Sequence, residues 1–263
     1  MKMILSPVVL FSLLLPLSLL GQTTPGAGAE DLTVLPPLVD GIAPTELLGD
    51  QLKKLAFAAL GQREAAYEQI KTPADVTAWQ QRQRTSFLAA LGGLPERTPL
   101  NTQVTGQRHC GAYRMEKILF ESQPGFIVSG LLYLPPGDGP HPAVLMPCGH
   151  TDIAKAGEVY QKASISLVHA GIAVFCFDPI GQGERRHYRQ PDGKPEFSSP
   201  TSEHQLMGIS GTPVGNSLAR AMIWDGIRAL DYLESRKDIR ADRLGCTGVS
   251  GGGTMTSYLM ALD

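Results

Sequence analysis

The chain has 263 residues, of which 43% are hydrophobic and 18% are charged, so it can bury a large core in one or two globular domains. Its formal net charge of -2 at pH 7 gives no electrostatic basis for binding nucleic acid or an anionic membrane surface. No internal repeat or low-complexity tract is visible.

Residues 1–29 are predicted to form a signal peptide and a polar spacer. Lys2 precedes an apolar run from Met3 to Leu20, and small and polar residues follow this run. Ala27-Gly28-Ala29 is the best match to a cleavage site, and cleavage just after Gly21 is the competitor. An uncleaved anchor is the alternative, because the run approaches the roughly 18 residues that can span a bilayer. Prolines within the run favour cleavage, so we expect an exported protein, periplasmic or extracellular, without a stable membrane span.

Residues 45–106 are predicted to be a helical N-terminal segment that carries no chemistry. A first amphipathic helix covers 46–60. A second opens at Thr72, where Pro73 takes the first helical position and Asp75 can complete a capping box. The second helix is expected to end near Leu91, before two glycines.

Residues 113–263 show the alternation of strands and helices that is typical of an α/β domain. Strand patterns at 114–122 and 125–135 predict a hairpin or meander. Three short, uniformly apolar runs follow at 143–146, 172–177 and 244–249, which indicates parallel strands buried between helices. A helix is predicted from Leu218 to about Ser235, with Asn216 as its cap. The predicted fold is therefore an open, mainly parallel sheet flanked by helices.

The four cysteines and six histidines indicate neither a disulfide framework nor a metal site. Cys148, Cys176 and Cys246 fall in apolar strand patterns and are interpreted as small buried hydrophobic residues, whereas Cys110 stands apart. We therefore predict core thiols, although an oxidising compartment permits disulfides. The histidines lack metal-ligand spacing, and no dinucleotide-binding or phosphate-binding glycine motif is present, so we expect no metal and no cofactor.

A G-x-S-x-G motif spans Gly248 to Gly252, between the last apolar run and a segment of helical character. In this context the motif predicts a tight strand-to-helix turn that exposes Ser250 as a nucleophile, with small residues required at Gly248 and Gly252. A merely structural glycine-rich turn is the alternative. A nucleophilic Ser250 is favoured, because strand, turn and helix are predicted in the order that the chemistry requires.

Polar residues follow the two preceding strands, at the edge where ligands bind in an open parallel sheet. Residues 147–152 could supply a backbone N–H that completes an oxyanion hole with the N–H of Gly251; an ordinary turn is the alternative. Asp178 is interpreted as a scaffold residue that holds a turn, rather than as the catalytic acid. In the loop predicted from His187 to Gly215, His204 either contacts substrate or fixes the loop.

From about Ile118 onward the chain resembles the α/β-hydrolase superfamily, and within it the acetylxylan-esterase-like, dienelactone-hydrolase-like group of secreted bacterial esterases. The resemblance is carried by PCGH at 147–150, DPIGQGER at 178–185, PTSEH at 200–204, WDGIRALDYLESR at 224–236 and DRLGCTGVSGGGTMTSYLMALD at 242–263. It implies ester hydrolysis through an acyl-enzyme, with Ser250 as nucleophile and the N–H groups of Gly251 and His150 as oxyanion donors. The implied substrate is a small-molecule or polysaccharide ester, such as the acetyl groups of plant polysaccharide.

The resemblance also implies that a catalytic acid and then a histidine follow the nucleophile in chain order. All six histidines precede Ser250, and the chain reaches Asp263 before the expected acid-bearing strand. We therefore expect a fragment of a longer protein, inactive alone, with a truncated, inactive product as the alternative. A peptidase of the same superfamily, or a noncatalytic carbohydrate-binding or scaffolding relative, is the competing function. The oligomeric state is left open.

Overall fold

The computed structural model describes residues 31–263, so the predicted signal peptide lies outside the described residues. The chain divides into two compact units, and the boundary falls between Ile70 and Lys71. The described part of the first unit contains a β-bridge between Val39 and Ile42 and one helix, α1 (Leu47–Tyr67). Among residues 31–263, no helix combines the length and the apolar character needed to cross a bilayer.

The second unit opens with α2 (Pro73–Leu91), and the predicted capping box is confirmed at its N-terminus. The N–H of Asp75 donates a hydrogen bond to Thr72 Oγ1 at 3.2 Å, and the N–H of Thr72 donates to Asp75 Oδ2 at 2.9 Å. Two backbone donors that lack helical partners are thereby satisfied. The helix ends at Gly92, whose φ of 77° places it in the left-handed region that a glycine adopts without strain.

A six-stranded sheet forms the centre of the second unit, in the order β1-β2-β3-β5-β4-β6. The strands are β1 (Gln103–His109), β2 (Arg114–Gln123), β3 (Phe126–Leu134), β4 (His141–Pro147), β5 (Ala173–Phe177) and β6 (Ile239–Cys246). The pairs from β1 through β3 to β5 are antiparallel, whereas β4 lies parallel to both β5 and β6. The sheet is therefore mixed rather than mainly parallel, and its parallel part consists of the three strands formed by the apolar runs. The carboxyl ends of β4, β5 and β6 therefore meet at one edge, where open α/β sheets form their ligand crevice.

Helices cover both faces of this sheet, as the apolar runs predict. The further helices are α3 (Glu158–His169), α4 (Pro200–Gly211), α5 (Leu218–Glu234) and α6 (Gly251–Leu262). One core cluster joins α5 and α6 to one face and includes Trp224 and Leu259, and a second joins α3 to the other face and includes Tyr160 and Val174. Alternate residues of β5 enter the two clusters, so all five of its residues are buried.

The cysteines are free thiols, and two of the three that were predicted to lie in the core do so. Cys246 is only half-buried, because it ends β6, which pairs with a strand on one side alone within the described sheet. Cys148 and Cys176 are buried, with 3.4 Å between their Sγ atoms, whereas Cys110 and Cys246 are half-buried. The hydrogen bond to Cys176 and the burial of the site raise the pKa of the Cys148 thiol. Cys148 is therefore held as an unreactive thiol at neutral pH.

Three elements differ from the sequence prediction. The helical segment predicted over 45–106 ends at Leu91, and residues 103–109 form β1, an edge strand whose mostly exposed side chains give no apolar alternation. The helix α4 forms inside the loop predicted from His187 to Gly215, because Ser199 caps it and Pro200 takes its first position. The strand predicted at 244–249 covers Ile239–Cys246, and residues 247–249 form a turn region.

The predicted cap of α5 at Asn216 is wrong by one residue. The N–H of Arg220 donates to Ser217 Oγ at 3.2 Å, whereas Asn216 Oδ1 accepts from the Arg220 guanidinium at 3.4 Å. A cap must reach the N–H two or three residues further on, and only Ser217 does so here.

This assignment predicts different costs for the two neighbouring substitutions. Ser217→Ala should lower the free energy of unfolding by about 1 kcal/mol, because it leaves a helix N–H without an acceptor. Asn216→Ala should change it by less than about 0.5 kcal/mol, because only an exposed contact is lost. Urea unfolding of both variants measures the difference, and a larger loss at position 216 would return the cap to Asn216.

Candidate active site

The G-x-S-x-G motif lies on the turn that joins β6 to α6, at the carboxyl edge of the parallel strands. Ser250 is exposed and has φ of 56° and ψ of −123°, a conformation that a non-glycine residue adopts only under strain. The turn is fixed by a 2.9 Å hydrogen bond from the Gly252 N–H to the Val249 carbonyl. The strand, sharp turn and helix that a nucleophile elbow requires are therefore present in order.

Close backbone contacts explain the small residues around Ser250. A Cβ on Gly248 would lie 2.5 Å from the carbonyl oxygen of Gly252, and a Cβ on Gly252 would overlap the carbonyl oxygen of Pro147. A Cβ on Gly149 would lie 2.5 Å from the Val249 oxygen. The turn thus packs directly against residues 148–152, which we call the β4 loop, with no room for side chains between the two backbones.

The β4 loop leaves one backbone donor free beside the turn. The N–H of Gly149 donates to Tyr160 Oη at 2.6 Å, and Gln182 Nε2 donates to the Gly149 carbonyl at 2.9 Å. Within the described chain, by contrast, neither the N–H of His150 nor that of Gly251 has a hydrogen-bond acceptor. Two unpaired donors, one on each side of the contact between loop and turn, are the groups that an oxyanion hole needs.

The side chains of His150 and His204 meet beside the turn. His150 Nε2 and His204 Nδ1 are 3.1 Å apart, and His204 Nε2 lies 2.7 Å from the carbonyl oxygen of Ile180. A Cβ on Gly251 would come within 2.9 Å of His150 Cε1, so the His150 ring lies against Gly251. Burial, and then the neighbouring His204, lower the pKa of His150. His204 therefore fixes the loop that follows β5 and also reaches the candidate site.

A buried ion pair holds His204 in place. Glu203 is fully buried and accepts from Arg186 Nε at 2.5 Å and from the His187 N–H at 3.1 Å. Arg186 Nη1 also donates to Asp152 Oδ1 at 2.6 Å, which ties the β4 loop to the same guanidinium. Sequence reasoning assigned no role to Arg186 or Glu203. In the sequence, Arg186 only precedes the loop predicted from His187, and Glu203 only precedes His204.

Asp178 is fully buried at the end of β5, where its carboxylate serves as a hydrogen-bond hub. It accepts from Ser129 Oγ at 3.1 Å, from the Lys155 N–H at 3.1 Å and from the Glu184 N–H at 3.0 Å, and it also contacts Lys155 Nζ. The same ammonium binds Glu184 Oε2 at 2.6 Å, which lowers the pKa of Glu184. A carboxylate with this many partners supports the interpretation of Asp178 as a scaffold residue.

A cavity of about 530 Å³ lies beside this cluster. Its lining includes seven polar residues, namely Thr105, Lys117, Ser129, Asp152, Lys155, Asp178 and Glu184. Within residues 31–263, no group of three or more His, Cys, Asp or Glu side chains is placed to hold a metal ion.

Comparison with known families and proteins identifies relatives of this architecture. The acetyl xylan esterase (AXE1) family model matches residues 94–263. YtaP of Bacillus subtilis (strain 168), which is assigned as a hydrolase, is 29% identical to this chain over 195 residues. That alignment covers 68% of this chain and 59% of the length of YtaP.

Solved structures share the fold. The methylesterase BT1017 is 28% identical, with a TM-score of 0.52 over 70% of this chain and 37% of its own. BF1801 of Bacteroides fragilis NCTC 9343, assigned as an acetyl xylan esterase, has a TM-score of 0.61 at 20% identity. The match covers 73% of this chain and 52% of BF1801, so this chain spans about half of that protein. The likeness confirms the predicted α/β-hydrolase fold.

The contact between the backbones at positions 248 and 252 predicts a strict requirement for glycine. Gly248→Ala should lower the free energy of unfolding by about 1–3 kcal/mol, because the added methyl group overlaps backbone atoms that cannot rotate away. Gly245→Ala is the matched control in β6, where a Cβ would lie at an ordinary 3.7 Å from Val144 Cγ2. Equal stability of the two variants in urea would contradict a close-packed turn.

In the Asp178 cluster, two carboxylates bind one ammonium group, and we expect them to contribute differently to the free energy of unfolding. Asp178→Asn should cost about 3–5 kcal/mol of unfolding free energy, because it leaves a buried lysine charge without its buried partner. Glu184→Gln should cost less than about 1 kcal/mol, because that side chain is 72% exposed and its charge is screened. Thermal or urea unfolding of the two variants measures the contrast, and a reversed order would refute the scaffold role.

Proposed function

The chain belongs to the acetyl xylan esterase (AXE1) family, and we propose that a protein containing this chain together with a catalytic acid and histidine hydrolyses carboxylic esters with Ser250 as the nucleophile. The observation that carries the proposal is the strained, exposed Ser250 on a strand-to-helix turn that leaves two backbone N–H groups unpaired beside it. Backbone strain of this kind is retained where function requires it. A purely structural glycine-rich turn would have no need of the strain at Ser250.

In the proposed reaction, Ser250 Oγ attacks the ester carbonyl carbon and the carbonyl oxygen becomes an alkoxide. The N–H groups of His150 and Gly251 donate hydrogen bonds to this oxygen, and each such donor can contribute roughly 10²- to 10³-fold to the rate. Collapse of the tetrahedral intermediate breaks the bond to the alcohol oxygen, which takes up the proton that Ser250 had given to the base, and leaves Ser250 acylated. A water molecule then attacks the acyl-enzyme and releases the carboxylic acid.

The proton of Ser250 needs an acceptor before the hydroxyl becomes a good nucleophile. The family resemblance implies a histidine oriented by a carboxylate in this role, and both would follow Ser250 in chain order. Asp178 is not proposed as that carboxylate, because its oxygens are occupied by Ser129, Lys155 and Glu184.

We propose acetyl esters of a polysaccharide as the substrate class. The matched family is named for acetyl xylan, and two structural relatives carry names of ester hydrolases.

Replacement of the nucleophile gives the direct test. In a protein that carries this chain together with the acid and histidine, Ser250→Ala should abolish hydrolysis of 4-nitrophenyl acetate, by a factor of roughly 10⁶, because the serine acts with its base as one unit. Ser257→Ala is the matched control, because Ser257 is exposed on the same helix and donates only to the Gly253 carbonyl. A fluorophosphonate probe should label position 250 alone. A Ser250→Ala variant that keeps a tenth of the activity, or a label on another residue, would refute the assignment.

A further inference from the structure

We propose that His150 Nδ1 is a fixed hydrogen-bond acceptor for a hydroxyl group on the alcohol half of the ester, so that the site selects esters of polyhydroxylated alcohols such as sugars. This inference rests on the proposed function of Ser250. It assigns a substrate-binding role to the His150 side chain, which is separate from the role proposed for its backbone N–H.

The hydrogen-bond chain behind His150 determines which of its nitrogens carries the proton. The carbonyl oxygen of Ile180 can only accept, so His204 Nε2, at 2.7 Å from it, must be the donor. When the His204 ring carries one N–H, as a neutral imidazole does, His204 Nδ1 is an acceptor. His150 Nε2, at 3.1 Å, must then donate to His204 Nδ1. His150 Nδ1 is left with a free lone pair.

This lone pair lies at the candidate active site. A Cβ on Gly251 would be 3.0 Å from His150 Nδ1, which places this nitrogen beside the residue that follows the nucleophile. No described residue donates a hydrogen bond to Nδ1, and the His150 side chain is exposed. Burial and the proximity of His204 lower the pKa of His150, which favours the neutral ring with its acceptor nitrogen.

The chemistry of esters limits what such an acceptor can bind. Both oxygens of an ester are acceptors, so His150 Nδ1 gains nothing from the ester group itself. The group that it binds must be a donor elsewhere on the substrate and close to the bond that is cleaved. A hydroxyl on the carbon next to the esterified carbon fits this requirement, and sugars carry one at nearly every position.

His204 is a positioning residue in this proposal, and its ring packs against the backbone at a glycine. Gly181 has φ of 73°, and a Cβ there would come within 3.0 Å of His204 Cδ2, so a side chain at position 181 would displace the ring. The buried pair of Glu203 with Arg186 fixes the start of α4 from the other side. The acceptor at His150 is thus oriented by contacts that do not themselves touch substrate.

Two substrates that differ by one hydroxyl group test the proposal. Methyl 2-O-acetyl-β-D-xylopyranoside has a free hydroxyl next to the ester, and its 3-deoxy counterpart does not. The unmodified protein should prefer the first in kcat/KM by a factor of roughly ten, the value of one hydrogen bond. His150→Phe keeps a ring but removes the acceptor, and should bring the ratio of the two kcat/KM values close to one.

The His204 variants separate positioning from packing. His204→Leu should reduce the preference for the hydroxylated ester. His204→Gln should keep this preference, because an amide can accept from His150 Nε2 and donate to the Ile180 carbonyl at the same time. His109→Phe, on the exposed edge strand β1, should leave the preference unchanged. An unchanged preference in His150→Phe would overturn the inference, and so would an equal loss on both esters, which would indicate a general role in catalysis.

A measurement without turnover keeps the inference distinct from the proposed function. In ¹⁵N spectra of labelled histidine, His150 and His204 should both be protonated at Nε2, and methyl β-D-xylopyranoside should shift His150 Nδ1 but not His109. Protonation at Nδ1 of either ring, or no shift at His150, would overturn the inference. Ester hydrolysis that survives Ser250→Ala would refute the proposed function instead, while the ¹⁵N result would still decide the role of His150.

Discussion

The contact between the backbone of the β4 loop and the turn at Ser250 is the constraint on which the candidate site depends. A positive φ at a serine costs about 1–3 kcal/mol and persists only where the surrounding structure leaves no alternative. Here Gly252 lies against Pro147 and Gly149 lies against Val249, so a relaxed turn would have to push β4 away from β6. The same contact brings two unpaired N–H groups together, since one belongs to the loop and the other to the turn.

Buried ion pairs connect the loops at the polar edge of the sheet. Three ion pairs with buried partners connect residues of the β5 loop, 178–186, to separate elements: Lys155–Asp178, Arg185–Asp225 and Arg186–Glu203. Removing such groups from water is costly, and burial raises the pKa of Asp225 even beside its arginine. The cost is acceptable because each pair has a single geometry, whereas an apolar contact could slide.

Most of the fold could be predicted from local pattern, and the site only from its most specific motif. The capping box at Thr72, the hairpin of β2 and β3, and the uniformly apolar β5 follow from rules that act over a few residues. The edge strand β1 was hidden because its exposed side chains do not alternate. The turn at Ser250 was found because G-x-S-x-G combines a steric requirement with a fixed order of elements.

The parts that sequence reasoning missed depend on partners far apart in the chain. Nothing near Lys155 indicates that it meets Asp178, and nothing near His204 indicates a contact with His150 across 54 positions. Such pairs are set by which strand ends are neighbours, and the order β5-β4-β6 is itself a long-range property. The cap at Ser217 was missed because Asn216 and Ser217 are neighbours that can both cap a helix, and the sequence does not fix the first residue of the helix to within one position.

The pairing of Arg186 with Glu203 has a consequence for how freely the intervening segment can vary. These residues are 17 positions apart, so their contact closes a surface loop whose ends are fixed by the pair rather than by the loop's own sequence. The entropy of closing a loop grows only with the logarithm of its length, by about 0.6 kcal/mol for each doubling. Insertions near the exposed turn at Asp192 and Gly193 would therefore cost little and would leave α4 where it is. The segment is a natural place for homologues to differ in length while the geometry beside the nucleophile stays the same.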